Sequence, residues 1–304
     1  MSASPSVSVV IPVLDGAATI AATLTGLLNQ APSPGRTEIL VVDNGSRDAT
    51  RAIVATFPVQ LLSESTPGPA AARNRGLHAA RGAIVAHLDG DTLPTRRWLA
   101  EIAAPFTDPT VTQVAGRMLG YRPSTPAERY YARCFLDRDE ENTQAEGFPF
   151  AASGNMAVRR DAALAVGGWD ETFRVAQDVD LSFRLLRRFG TPIRYQPGAL
   201  VFVRTSRTLA ELRRRAFKYG QGRAKLWLQY REAAAWGPRR TARIAGGLVL
   251  VAVWPYLLST ARWTGRATAE DVHEAVCHRA WHWGLWRGFA SMIRHREWRQ
   301  LSSS

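Results

Sequence analysis

The sequence is poor in cysteine, with only Cys134 and Cys277 in 304 residues. Two cysteines are too few for a disulfide framework, and their flanks lack the spacing of zinc ligands, so disulfide-rich secreted proteins are excluded. The amino terminus lacks a basic segment ahead of its first, short apolar run, so we expect no signal peptide. Internal repeats and low-complexity segments are also absent from the sequence. These absences fit a globular protein in a reducing cytosol.

Acidic side chains are scarce only in the last third of the chain. Residues 1–200 contain 20 basic and 20 acidic side chains, whereas residues 201–304 contain 19 basic and 6 acidic ones. The whole net charge of +13 therefore belongs to the last third. This division predicts a neutral domain followed by a segment that prefers an anionic surface.

Apolar, β-branched segments alternate with segments of helical spacing before residue 205. Val7–Leu14, Glu38–Val42 and Ala83–Leu88 are typical of strands that are covered on both faces of a sheet. Strand, helix and strand in succession imply right-handed crossovers, so we predict an α/β fold with a Rossmann-like, doubly wound, mostly parallel sheet flanked by helices. The later predicted elements are a helix at Glu128–Asp139, an interrupted strand at Phe148–Val158, a helix at Asp178–Phe189, and edge strands at Ile193–Tyr195 and Ala199–Val203.

The last third of the chain has the character of a membrane-associated appendage. Residues 209–228 mix leucines with arginines and lysines, which is the pattern of a basic amphipathic helix. Residues 244–261 carry no charge, but Pro255 and basic residues on both sides argue against a spanning helix. Eight of the ten tryptophans follow residue 201, and tryptophan favours the headgroup level of a membrane. We expect an interfacial or re-entrant hairpin; a single span and a buried tail of a soluble dimer are the alternatives.

Two aspartates separated by one glycine follow the apolar run that ends at Leu88. Ligands of open α/β sheets bind beyond the carboxyl ends of the strands. Asp89 and Asp91, together with phosphate oxygens, would form an oxygen-rich shell suited to Mg²⁺ or Mn²⁺. Gly90 would let the backbone approach a bulky ligand closely. A simple turn is the alternative, because Asp-Gly and Gly-Asp are common turn dipeptides.

Six short motifs occur in an order that is specific as a combination, although each motif alone is common. They are Ser8–Leu14, Val41–Ser46, Gly68–Gly76, Leu88–Asp91, Gly154–Asn155 and Gln177–Arg184. Together they resemble the inverting family-2 glycosyltransferases with the GT-A fold. The resemblance implies a GT-A catalytic domain at 1–205, divided into a nucleotide-sugar-binding half at 1–120 and an acceptor-binding half at 121–205. It leaves 206–304 as a basic, Trp-rich helical C-terminal region.

The resemblance places the donor at residues that follow the first four strands. Asp43 matches an aspartate that accepts a hydrogen bond from the nucleotide base; an aspartate that caps a turn is the alternative. Arg73 matches an arginine that forks onto a base carbonyl or a phosphate, with a solvated helix charge as the alternative. Asp89 is expected near the ribose, and Asp91 at the Mg²⁺ or Mn²⁺ ion that bridges the diphosphate. The other residues implied in the nucleotide pocket are Pro12, Val13, Leu14 and Gly90.

Direct displacement with inversion requires a base on the face opposite the leaving diphosphate, and Asp178 matches that base. The start of a helix supplies amide donors and a favourable dipole, so we expect Asp178 to be ionised; a plain N-cap is the alternative role. Gly154, Asn155 and Trp169 resemble the acceptor side. Trp169 would stack there on a sugar face, unless it simply packs in the core.

The chain departs from the family pattern at two places. Gln177 stands where the family commonly has glutamate, which puts any role of that glutamate in the acceptor pocket in doubt. The Gln-x-x-Arg-Trp signature of processive polymer synthases is missing after residue 205, so we expect a single addition rather than polymerisation.

We therefore expect a metal-dependent inverting glycosyltransferase of cell-envelope biosynthesis at the cytoplasmic face of the membrane. Its expected partners are a nucleotide-sugar donor, a lipid-linked or membrane-borne acceptor, and an anionic membrane surface bound through 206–304, but no nucleic acid. A sugar-phosphate nucleotidyltransferase is one alternative, although residues 15–18 lack the glycine-rich, basic loop expected there. A non-enzymatic binder of anionic lipid or nucleic acid is another, although the basic charge avoids the predicted sheet domain and no nucleic-acid motif is present.

Overall fold

The computed structural model describes residues 7–31, 35–145, 147–204, 208–230 and 269–294. The chain divides into two compact units. The first consists of Met1–Tyr121 and Leu136–Arg204, and the second of Arg122–Phe135 and Thr205–Ser304. Arg122–Phe135, which we predict within the acceptor-binding half, thus lies in the second unit.

The described part of the first unit contains an eight-stranded sheet. Its strands are β1 (Val7–Val13), β2 (Thr37–Asp43), β3 (Gln60–Ser63), β4 (Ile84–Leu88), β5 (Thr92–Pro94), β6 (Gln113–Gly120), β7 (Asn155–Arg159) and β8 (Arg194–Val203). The strand order is β3-β2-β1-β4-β7-β6-β8-β5. Every residue of β4 and all but one of β1 are buried, as expected for strands covered on both faces.

The sheet is mixed, whereas we predicted a mostly parallel one. β1 runs parallel to β2 and β4, and β2 runs parallel to β3, as the apolar runs and βαβ pattern predict. β7 is antiparallel to both of its neighbours, β4 and β6. In the remaining part, β8 is parallel to β6 and antiparallel to β5. The direction changes at β4 and β7, where Leu88 pairs with Asn155.

The two predicted late edge strands are one strand, β8, and it lies inside the sheet. β6 pairs Gly116 with Gln196 and then Arg117 with Leu200, so residues 197–199 form an irregularity that β6 bridges. Pro197 and Gly198 lie in this irregularity, which is why the sequence predicts two strands where the structure has one. The edge strand beside β8 is β5, which has three residues and is too short to show a sequence pattern.

Helices flank the sheet, and helices also make up most of the described part of the second unit. In the first unit they are α1 (Ile20–Leu28), α2 (Thr50–Val54), α3 (Pro69–Ala79), α4 (Trp98–Ala103), α6 (Asp139–Thr143), α7 (Arg160–Ala165) and α8 (Gln177–Phe189); in the second they are α5 (Pro126–Phe135), α9 (Leu209–Gln229) and α10 (Ala269–Arg294). The predicted helix at Glu128–Asp139 is interrupted before α6, where Asp137 adopts a left-handed conformation with φ of 55°. The predicted strand at Phe148–Val158 begins only at Asn155.

Helix α3 packs closely on the centre of the sheet. A Cβ atom at Gly76 would overlap the side chain of Val10, so only glycine allows this approach of α3 to β1. Val10, Leu77 and Trp169 belong to one buried apolar cluster that covers this face of the sheet. The cluster fixes the amino-terminal half of α3, which carries Arg73.

In the second unit α9 and α10 approach each other at glycines. A Cβ at Gly220 would lie 2.7 Å from the backbone nitrogen of Leu285, and a Cβ at Gly284 would overlap the backbone of Phe217. A Cβ at Gly288 would lie 2.7 Å from the Cβ of Ala224. Small residues therefore bring the two helix backbones into direct contact.

No helix among the described residues is long and apolar enough to cross a membrane. The apolar segment 244–261, for which we expect an interfacial or re-entrant hairpin, lies outside the described residues.

Candidate active site

The candidate site lies at the sheet edge where β1, β2 and β4 end. Val13 pairs with Asp43 at the ends of β1 and β2, and Asp89 directly follows β4. Because these strands are parallel, the residues that follow them emerge at the same edge. The antiparallel pairing of Leu88 with Asn155 brings Gly154, which precedes β7, to this edge as well.

Arg73 connects the two halves of the site. It is 5% exposed, and its Nη2 donates to Oδ1 of Asp89 at 2.8 Å while its Nη1 donates to Oε1 of Gln177 at 3.0 Å. Gln177 in turn donates its Nε2 hydrogen to the carbonyl oxygen of Phe173 at 3.1 Å, which fixes the amide so that its oxygen faces Arg73. The alternative of a solvated helix charge is therefore wrong for Arg73.

Two buried aromatic side chains support the Arg73 guanidinium. Its central carbon lies 5.0 Å from the centroid of the Trp169 ring, a cation–π distance. The ring of His87 meets the Trp169 ring edge-on, with 4.9 Å between centroids. Burial, and then the charge of Arg73, lower the pKa of His87 to about 3. His87 is therefore neutral at physiological pH and does not repel the guanidinium.

Asp178 stands in the first turn of α8, next to Gln177. Its Oδ2 accepts a hydrogen bond from the backbone nitrogen of Ser153 at 3.1 Å, and its Oδ1 accepts one from the nitrogen of Val179 at 3.0 Å. Burial is the largest influence and raises the pKa of Asp178, although the Ser153 hydrogen bond and the Arg73 charge act to lower it. We expected the helix start to favour the ionised form, but burial outweighs that effect.

The short loop at Ser153 and Gly154 lies between the two carboxylates of the site. Ser153 binds Asp178, and a Cβ at Gly154 would lie only 3.0 Å from Oδ2 of Asp89. The predicted base and the predicted ribose-side aspartate thus contact neighbouring residues of one loop.

Asp43 lies beside the site with both carboxylate oxygens in use. Its Oδ1 accepts from the backbone nitrogen of Ser46 at 3.2 Å, and its Oδ2 accepts from Nη1 of Arg51 at 3.0 Å. Burial alone would raise the pKa of Asp43, but the hydrogen bonds from Ser46 and Arg51 outweigh burial and lower it. The turn-capping role is therefore present in the structure, and the contact with a nucleotide base stays a prediction.

The Asp89–Asp91 motif forms a turn at the mouth of the site. The backbone nitrogen and hydroxyl of Thr92 both donate to the carbonyl oxygen of Asp89, at 3.2 and 2.7 Å, so the backbone reverses between β4 and β5. The turn alternative is correct for the backbone, and it presents the half-buried side chains of Asp89 and Asp91. The described residues contain no group of three or more histidine, cysteine or acidic side chains suited to a metal. Two carboxylates nevertheless match Mg²⁺ and Mn²⁺, which commonly complete their shells with phosphate and water oxygens.

The other residues predicted for the nucleotide pocket surround the end of β1. A Cβ at Gly90 would lie 3.5 Å from a methyl of Val13 and 3.7 Å from the carbonyl oxygen of Pro12, which places Gly90 against β1. Leu14 is 58% exposed at the same edge.

Two residues predicted on the acceptor side are buried in the core. Asn155 is 1% exposed: it accepts from Nε1 of Trp98 at 2.7 Å and donates to the carbonyl oxygens of Arg117 and Ala199 at 3.0 and 2.8 Å. Trp169 is 2% exposed beneath Arg73. Neither side chain has a surface that a sugar could reach, so the predicted acceptor contacts of Asn155 and Trp169 are wrong. Gly154 remains at the site.

The contacts of three supporting residues could not be predicted from the sequence. Ser153 and Gln177 orient Asp178 and Arg73, as described above. The side chain of Asn74 holds both backbone groups of Trp169, accepting from its nitrogen at 2.8 Å and donating to its oxygen at 2.9 Å. Asn74 lies in a quoted motif, but its partner is 95 residues away and no local pattern reveals the pair.

Comparison with known proteins identifies the family. The model for glycosyl transferase family 2 matches residues 8–167, more than half of the chain. A pre-mycofactocin glycosyltransferase of Mycobacterium tuberculosis is 34% identical over 240 residues, which cover 75% of this chain and 49% of that protein. This chain thus spans about half the length of that relative. Glycosyltransferase AglE of Haloferax volcanii is 29% identical over 292 residues, which cover 92% of this chain and 93% of that protein.

Among solved structures, a mannosyltransferase of Pyrobaculum calidifontis, in complex with GDP-Man and Mn²⁺, matches with a TM-score of 0.64. It is 22% identical, and the match covers 93% of this chain and 88% of that one. This likeness shows that the fold is of the GT-A type. With the family match over β1 to α7 and the site assembled at the expected sheet edge, the chain belongs to glycosyl transferase family 2.

Proposed function

We propose that this protein transfers one sugar from a nucleotide-sugar donor to an acceptor hydroxyl with inversion, and that Asp178 is the base. The observation that carries the proposal is the position of Arg73. Its guanidinium binds Asp89 on the predicted donor side and Gln177 beside the predicted base. One buried cation thereby joins the segment that carries the proposed donor-side aspartate to the helix that carries the proposed base.

In the proposed step the acceptor oxygen attacks the anomeric carbon while the bond from that carbon to the diphosphate oxygen breaks. The nucleoside diphosphate leaves with the electrons of the broken bond, and the acceptor proton moves to a carboxylate oxygen of Asp178. Burial raises the pKa of Asp178 toward working pH, which makes it a better proton acceptor than an ordinary carboxylate. Attack from the face opposite the leaving group inverts the anomeric configuration.

A divalent ion, Mg²⁺ or Mn²⁺, fits the donor side. When bound, it would supply positive charge to the departing diphosphate. Asp91 would hold it, with Asp89 beside it facing the ribose. Pro12, Val13, Leu14 and Asp43 would border the nucleoside. The Mn²⁺ and GDP-Man in the Pyrobaculum structure support this assignment.

The acceptor proposed here is lipid-linked or membrane-borne, at the cytoplasmic face of the membrane. The support is the charge of the last third of the chain, with 19 basic and 6 acidic side chains. Anionic lipids attract such a segment. Family membership disfavours the two alternatives from the sequence, a nucleotidyltransferase and a non-enzymatic binder.

The test compares donor binding with donor turnover in the full chain. A panel of nucleotide sugars with Mn²⁺ is first screened for hydrolysis or transfer. Asp178→Asn should lower kcat by about 10²–10⁴-fold and leave binding of the nucleoside diphosphate unchanged. Asp161→Asn, a change of an exposed aspartate on α7, is the matched control and should leave both unchanged. An Asp178→Asn variant that keeps most of its turnover would contradict the assignment of the base.

The metal assignment is tested by calorimetry without turnover. Asp91→Ala should remove the increase in nucleoside-diphosphate affinity that Mn²⁺ produces in the unchanged protein. A variant that keeps the full Mn²⁺-dependent increase would show that Asp91 is not a ligand.

A further inference from the structure

Helix α10 exposes two tryptophans on one face. Trp283 is 63% exposed and Trp286 is 39% exposed, and their spacing of three residues places them side by side. The opposite face of α10 is buried at Gly284, Leu285 and Gly288, and this is the face that packs on α9. The two tryptophans lie on the side of α10 away from these glycines.

Arginines flank the exposed tryptophans on the same face. Arg279 and Arg287 lie four residues before and after Trp283, and both are exposed. We call Arg279, Trp283, Trp286 and Arg287 the Trp face. Neither arginine forms an ion pair with another described residue. The acidic residue Glu274 points away from this face, toward Arg133 of α5 at 3.8 Å.

The Trp face belongs to a pair of closely packed helices. The Gly220 and Gly284 contacts bring the backbones of α9 and α10 together without intervening side chains. On α9, exposed Arg213, Arg214 and Lys218 add further positive charge to the same unit. No acidic side chain of the described part of α10 after Glu274 offsets this charge.

The chemistry of this face fits the headgroup layer of a bilayer. Tryptophan has an apolar ring with one polar donor and is enriched at the interface between lipid and water. Arginines beside it attract anionic headgroups. A helix with exposed tryptophans and basic neighbours is typical of one that lies in the plane of the interface.

From these observations we infer that the Trp face binds the surface of an anionic phospholipid bilayer. The inference deepens the proposed function, because it names the residues that would keep the enzyme beside a membrane-borne acceptor. Binding itself does not depend on sugar transfer, so the two proposals fail separately.

The test uses co-sedimentation of the full chain with vesicles of phosphatidylcholine, with and without about one third phosphatidylglycerol. The double change Trp283→Ala and Trp286→Ala should lower the partition coefficient for anionic vesicles by at least about tenfold. The double change Arg279→Gln and Arg287→Gln should lower it by about tenfold or more at low salt and have little effect at high salt. Phe189→Ala removes a ring that is 39% exposed in the first unit, and this matched control should bind as the unchanged protein does.

Two results would overturn the inference. One is unchanged vesicle binding by the double tryptophan variant. The other is a change in oligomeric state with no change in vesicle binding, which would make the face a contact between copies of this chain. Circular dichroism shows whether each variant is folded, and donor hydrolysis in free solution should be equal in all of them. If the unchanged protein hydrolysed no nucleotide sugar, that result would count against the proposed function. It would not affect the conclusion from vesicle binding.

Discussion

Replacing Asn155 with alanine distinguishes a structural side chain from a substrate-binding one. The family resemblance puts Asn155 on the acceptor side, whereas in the structure its amide joins α4 to β6 and β8. The variant Asn155→Ala removes all three of these hydrogen bonds.

The size of the effect follows from the groups that lose a partner. Three hydrogen bonds at a residue that is 1% exposed each contribute about 1 kcal/mol net. The Trp98 Nε1–H and the two carbonyl groups are then left in a buried environment, and each such group costs about 1–3 kcal/mol when it finds no new partner. Because Gly116 places no side chain beside Asn155, one water molecule entering the vacated space would recover part of this cost. We expect the free energy of unfolding to fall by about 3–6 kcal/mol.

The assay is urea unfolding followed by tryptophan fluorescence, together with steady-state kinetics of the folded fraction. Asn155→Ala should lower the urea midpoint strongly and leave the KM for acceptor unchanged. Asn29→Ala, at the exposed end of α1, is the matched control and should unfold almost as the unchanged protein does. An unchanged midpoint together with a raised acceptor KM would refute the structural role and restore the substrate contact.

Three further predictions address the base, its neighbour and the helix pair. The raised pKa of Asp178 means that the stability contributed by its protonated form is lost as the pH rises through the folded pKa. The free energy of unfolding of Asp178→Asn, minus that of the unchanged protein, should therefore increase as the pH rises above about 4, and a difference that falls would contradict the shift. Gln177→Glu would place a second carboxylate on Arg73, beside Asp178. Its negative charge should raise the pKa of Asp178 and so move the acidic limb of the pH profile of kcat/KM to higher pH, and a limb that stays in place or moves to lower pH would argue against Asp178 as the titrating base. Gly220→Ala would force α9 away from α10, and thermal unfolding should show the second unit destabilised by about 1–3 kcal/mol or more. The control is Gly45→Ala, which has open space around its Cβ but a positive φ and should cost only about 1 kcal/mol.

The sequence predicted the donor half of the fold well because its signals are local. β1, β2 and β4 are apolar runs, and each ends close to where the run ends. The partners of the later strands are far away in sequence, so the antiparallel insertion of β7 and the interior position of β8 carry no local signal. Three residues separate α5 from α6, and one of them, Asp137, is left-handed; the mixed charge of that segment gives no sign of the break.

The site was predictable in its residue types and less so in their contacts. Asp89, Asp91 and Asp178 follow from the motifs and the family resemblance. In the structure Asp89 and Asp91 follow β4, and Asp178 lies in the first turn of α8 with Ser153 as a partner, while their roles stay predictions. Burial could not be inferred from the same motifs. Trp169 and Asn155 both have side chains that can form hydrogen bonds, and both lie beside glycines in the sequence. This pattern fits a binding pocket as well as a core, and only the tertiary packing shows that both residues are buried. The direction of the pKa shift of Asp178 was missed for the same reason.

The change of strand direction between β4 and β7 has a consequence for engineering. The pairing of β7 with β4, from Ile84 with Arg159 to Leu88 with Asn155, fixes the register of β7 after the long connection that follows β6. That connection could be exchanged for one from another family member without shifting the donor edge. Hybrid enzymes that keep residues up to β6 and from Ser153 onward retain the Ser153 and Gly154 contacts of the site, and they offer a way to graft new acceptor preferences onto an unchanged donor half.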